Sequence, residues 1–135
     1  MSSTVAQPYF LWPLAGSLIS VQFLGIYRHV GIVSDRWCNG KPMVISNSDR
    51  AGGVREEPWN VFAAGRAVTV EASQHDTSGH VIIARARSRI GTRYNLLTWN
   101  CEHLVQFAQG INPSSPQVVA TLVVAALWWA LAAKT

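Results

Sequence analysis

Cys101, in the run Asn100-Cys101-Glu102-His103, has the residue type and the local spacing for nucleophilic chemistry. A thiol attacks as thiolate, so a reactive cysteine needs surroundings that lower its pKa from about 8.5. The free N–H groups and positive dipole end of a helix N-terminus do this. Asn100 is a good N-cap and places Cys101 at the first helical position. The same N–H groups could form part of an oxyanion hole for an acyl intermediate, with Asn100 and Tyr27 as supporting residues. On spacing alone, a buried structural cysteine stays open as the alternative. The base must come from four histidines. His103 is two residues from Cys101, which on a helix points it to another side, as a packing or surface residue. His75 and His80 lie in or beside the polar stretch 73–79 and read as solvent-exposed. His29 sits within a predicted strand, on the face of Tyr27, Gly31 and Val33, where a rigid element could hold it against the cysteine. The pattern leaves an ordinary core histidine equally open.

The elements needed to position these groups are legible in the alternation of apolar residues. Residues 17–34 predict two strands with a break near Gly25. Residues 35–42 predict a polar turn containing Cys38, and residues 43–47 a third strand. A turn at 49–53 uses the Gly52-Gly53 pair. A helical turn is expected around 58–64 and a fourth strand at 67–72. A helix is expected over 80–90, closed by Gly91, and another over 101–109, stopped by Gly110.

The segment 118–133 holds sixteen residues with no charge, interrupted only by Thr121, and includes Trp128 and Trp129. A spanning helix needs about 20 apolar residues, with a lower limit near 17. With Pro116 and Gln117 the segment makes a marginal transmembrane helix, with Lys134 at its outer end. A buried or docking helix is the alternative. Because the run is apolar on every side, the expectation is a membrane anchor.

The 135 residues suit one principal domain, read as an N-terminal segment at 1–14, a domain at 15–112 and the hydrophobic helix at 116–133. Only 13% of the residues are charged, and the net charge of +4 comes from scattered arginines, which fits attraction to anionic lipid headgroups. Aromatic residues are not interleaved with the arginines, so no nucleic-acid partner is expected. Two cysteines are fewer than a disulfide scaffold usually carries. Pro8 and Pro13 break the N-terminal apolar run, which has no basic leader and does not read as a secretory signal. The cysteines and histidines lack paired zinc-ligand spacing, and Gly52-Gly53 lacks the lysine of a phosphate loop, so neither metal nor cofactor is expected.

Four pieces occur in order: Tyr27-Arg28-His29-Val30-Gly31-Ile32-Val33, Val44-Ile45-Ser46-Asn47-Ser48, Gly52-Gly53-Val54-Arg55-Glu56-Glu57, and Tyr94-Asn95-Leu96-Leu97-Thr98-Trp99-Asn100-Cys101-Glu102-His103-Leu104. Over residues 15–110 the chain resembles the lecithin:retinol acyltransferase-like family, a permuted branch of the papain-like thiol hydrolases. The resemblance implies an α+β fold in which a small antiparallel β-sheet packs against helices, followed by a hydrophobic C-terminal helix. It also implies a cysteine-dependent acyltransferase or phospholipase A-type hydrolase acting on phospholipid or other acyl esters. Cys101 would form the thioester and His29 would move the proton. Members often hold to a membrane by such a helix, so the expected location is a membrane surface with the catalytic domain on the cytoplasmic side. The chain departs from the family pattern at Ser46, where the family has a second histidine that orients the first. Asn47 could substitute only if the strand shifted by one residue, since alternation puts it on the other face. Two further readings follow: a catalytically silent binding module, and a papain-like peptidase or amidase.

Overall fold

The computed structural model describes residues 12–23, 25, 27–72, 77–111 and 116–134; His75, and the N-terminal segment up to residue 11, lie outside them. Alternating apolar residues build the sheet. Strands β1 (Leu18–Phe23), β2 (Tyr27–Cys38), β3 (Lys41–Ser48), β4 (Gly53–Glu57) and β5 (Thr69–Glu71) lie in the order β4-β3-β2-β1-β5, every neighbour antiparallel. Helix α1 (Trp59–Ala63) follows β4, α2 (Gly79–Arg87) and α3 (Cys101–Gln109) follow β5, and α4 (Pro116–Ala132) comes last. This is the α+β architecture expected from the sequence, with an antiparallel sheet and helices.

The sheet has two covered faces because successive strand residues point to opposite sides. Leu18, Val30, Ile32, Ile45 and Val54 pack with Ile82, Ile83 and Ala86 of α2 and with Leu104, Val105 and Ala108 of α3. Ile19, Val21, Val33 and Val44 pack on the other side with Phe62 of α1. Gly31 belongs to this second face for lack of room. A Cβ there would lie 2.7 Å from the Phe62 ring and 2.8 Å from Val44 Cγ1.

Three expectations are corrected. The turn predicted at 35–42 shrinks to Asn39 and Gly40, with φ of 52° and 74°. Two residues of positive φ suffice for a tight hairpin, so β2 runs on through Cys38. Helix α2 ends at Arg87, and 3₁₀-like bonds from Arg89 to Ala86 and from Ile90 to Arg87 lead to Gly91. The transmembrane helix is not found: among the described residues no helix is long and apolar enough to cross a membrane. At about 1.5 Å per residue, the 17 residues of α4 reach about 25 Å, short of the roughly 30 Å hydrocarbon core. Its second residue, Gln117, turns its side chain to the domain through hydrogen bonds to Arg28 and Glu102. Beyond that point α4 exposes its apolar side chains, Val123 at 52% and Trp129 at 79% bracketing a series that includes Leu122, Val124, Leu127, Trp128 and Leu131.

Candidate active site

The helix that begins at Cys101 starts as the sequence predicts. Asn100 caps α3, its Oδ1 accepting from the N–H of Glu102 at 2.9 Å and of His103 at 3.3 Å. His103 completes the cap, its Nδ1 accepting the N–H of Asn100 at 3.0 Å. Of the two readings of His103, packing or surface, the structure gives the first: it is buried, and a capping box normally built with Glu or Gln uses an imidazole here. The signal was available in the three-residue spacing from Asn100. The loop before the cap is closed on itself by paired backbone bonds between Asn95 and Trp99 at 2.8 and 2.9 Å. Asn47 fastens it, its Nδ2 donating to the Trp99 carbonyl at 2.8 Å. Asn47 thus serves the cysteine's side of the sheet, as strand alternation requires.

A break in the sheet lets Cys101 reach from one face towards the other. The β2–β3 ladder ends at the pair Gly31 and Ser46. Beyond it, β2 continues with β1 to Tyr27, and β3 continues with β4 to Ser48, so the two strands part. Val33 exchanges its hydrogen bonds with the segment leading into β1, and the two-residue period then turns the N–H groups of Val30 and Arg28 into the gap. Cys101 lies beside Val30 there, and its Sγ is 3.7 Å from the hydroxyl of Tyr27, a residue of the opposite face.

The thiol is 1% exposed. Burial raises its pKa, while the N–H of Val30, the Tyr27 hydroxyl and the N–H of Glu102 work in the other direction without reversing the shift. The resting group is therefore a protonated thiol, and the lowering expected from the helix start is outweighed by desolvation. Burial, and then the neighbouring sulfur, push the Tyr27 phenol upward, so it stays a donor when Cys101 ionises. Tyr94 stands beside it and is raised first by burial as well.

His29 lies two residues along β2 from Tyr27, on the same face. Its ring lies 5.1 Å from that of Phe62, tilted by 33°, and meets Phe23 edge-on at 6.3 Å. Burial, with a smaller contribution from Arg50, lowers its pKa to about 4. The imidazole is thus neutral at pH 7 and able to accept a proton. No hydrogen bond joins His29 to Cys101 or to Ser46 among the described residues. Ser46 shares the face of His29, since it pairs with Gly31 two residues along, but stands diagonal to it. Tyr27 and His29, with Phe23, Arg50, Phe62 and Tyr94, line a cavity of about 350 Å³. A smaller one of about 100 Å³ lies on the α3 side, between Arg28, Glu71 and Glu102. Among the described residues no group of three or more His, Cys, Asp or Glu could hold a metal ion.

The structure therefore brings Tyr27, Asn100 and Cys101 together directly, and sets His29 and Ser46 on the adjoining face. Asn47, Tyr94, His103 and Gln117 join them as residues that the sequence did not assign to the site. No curated protein matches the chain. The family model for lecithin retinol acyltransferase matches residues 15–110, from just before β1 to the Gly110 that closes α3. That stretch carries the strands, the parted ladder and the capped cysteine, and the chain belongs to the lecithin retinol acyltransferase family.

Proposed function

We propose that the chain is a thiol acyltransferase or hydrolase that takes acyl groups from lipid esters at a membrane surface. Family membership supports the acyl-transfer or thiol-hydrolase class. The observation that carries the finer reading is the Cys101 thiol at a capped helix start, 3.7 Å from a phenol that opens onto a largely apolar cavity. An acyl chain would occupy that cavity against Phe23 and Phe62. Cys101 Sγ attacks the ester carbonyl as its proton passes to neutral His29, and the Tyr27 hydroxyl faces the charge that develops on oxygen. The acyl C–O bond breaks, and the proton goes on to the departing alkoxide. Water, an amine or an alcohol then adds to the thioester; its proton returns to sulfur as the C–S bond breaks. The uncharged, exposed α4 supports seating at a lipid surface, where such esters are presented.

A second reading, a silent binding module, is favoured by the placement of His29 between two phenylalanine rings and by Ser46 in place of a second histidine. Mass spectrometry of the intact protein after incubation with an acyl-labelled phospholipid separates the two. A thioester absent from Cys101→Ala is expected. Bound lipid with neither adduct nor turnover would establish the silent module instead.

A further inference from the structure

Gln117 occupies the place of a missing strand partner. Its Oε1 accepts the Arg28 N–H at 3.1 Å, and its Nε2 donates to the Arg28 carbonyl at 3.1 Å. One side-chain amide thereby supplies the donor and acceptor that β3 withdraws where it parts from β2. The same Nε2 donates to Glu102 Oε1 at 2.9 Å. Arg28 lies between Tyr27 and His29, and Glu102 follows Cys101. Three hydrogen bonds from one residue of the apolar helix thus end on the immediate neighbours of the three reacting groups. Thr121, one turn further on, donates its hydroxyl to the Gln117 carbonyl at 2.9 Å, which ties that residue into α4.

We infer that Gln117 is a positioning residue through which the seating of α4 in a lipid bilayer is transmitted to Cys101. The inference rests on the proposed membrane seating of α4 and deepens it: the helix acts on the site as well as holding it near substrate. A bilayer that fixes α4 also fixes the amide closing the β2 edge, and with it the gap holding the sulfur. The two sites are coupled to the extent that seating α4 changes the free energy of that arrangement.

The test measures alkylation of Cys101 by iodoacetamide across pH, in the full chain carrying Cys38→Ser, free and bound to phosphatidylcholine vesicles. Vesicles are expected to change the rate at least about fivefold, the lower end of ordinary coupling. Gln117→Ala still sediments with vesicles but loses that difference. Gln117→Glu keeps the shape and the acceptor for the Arg28 N–H, and removes the donor facing the Arg28 carbonyl and Glu102; it loses the difference too. One pH profile shared by the parent and both variants, with and without vesicles, overturns the inference. Alkylation needs no acyl donor. A Gln117-dependent profile without any lipid thioester would therefore sink the acyl-transfer reading alone, while a thioester with a Gln117-independent profile sinks the coupling alone.

Discussion

Tyr27 touches the thiol and lines the cavity, and after burial and the Val30 N–H its hydroxyl is the next influence on how readily the sulfur ionises. Tyr27→Phe removes a donor to a charged acceptor, a bond worth about 1.5–3 kcal/mol. Alkylation of Cys101 near neutral pH should slow by about tenfold or more, with the titration midpoint moving upward. An unchanged midpoint would mean that the phenol does not serve the thiolate. His29 makes the opposite kind of statement, because the fold disfavours its charged form. Between the ordinary value of 6.5 and the folded value of about 4, the unfolded chain binds the extra proton. Stability therefore rises with pH across that window and is lost as pH falls through it, by up to about 3 kcal/mol. Asp35 and Glu56 also titrate lower in the fold. Arg87 acts first on Asp35, and outweighs the burial of Glu56 with help from Ser34. The His29 share is thus the difference between the parent and His29→Phe in urea melts at pH 7 and pH 4.5. Equal losses in both proteins would remove His29 from the account.

At the level of elements, the site depends on the close approach of Phe62 to β2 at Gly31. Gly31→Ala puts a methyl group into that ring and into Val44. Overpacking of this kind costs about 1–3 kcal/mol, and since the Phe62 ring lies 5.1 Å from that of His29, the imidazole should shift with it. Loss of stability in urea together with a moved His29 resonance is the expected pair of results; a resonance left in place contradicts the mechanical link. Much at this scale was legible in the sequence. The Asn100 cap, the helix over 101–109 and its Gly110 stop agree with the structure because they depend on local chemistry. The hairpin after β2 is tighter than its polar stretch suggests, because polarity marks a turn whereas the backbone needs only Asn39 and Gly40 to make it. The parting of β2 from β3 was not legible. Nothing in either strand's alternation says where a ladder stops, and the groups that fill the gap, Cys101 and Gln117, lie far along the chain.

For the whole molecule, the two covered faces of the sheet followed from strand alternation, while the role of α4 depended on more than its hydropathy. A run that is apolar all round predicts lipid contact, but among the described residues no helix is long and apolar enough to cross a membrane, and Gln117 faces the domain instead. Removal of residues 119–135 keeps Gln117 and deletes the exposed apolar side chains of α4 from Val119 onward. The shortened chain should no longer sediment with phosphatidylcholine vesicles; persistence in the pellet would assign lipid binding to the domain, where Leu96 and Leu97 are also exposed.

The unfinished ladder between β2 and β3 makes two amides into indicators. In an ordinary strand, the exchange of an N–H with deuterium reports on the strand beside it. Here the Arg28 N–H is covered by a side-chain amide and the Val30 N–H by a sulfur atom. Covalent modification of Cys101 should accelerate exchange at Val30 while Ile32, still paired with Ile45, stays slow. Occupancy of Cys101 could then be read from the exchange of one backbone amide in an intact protein.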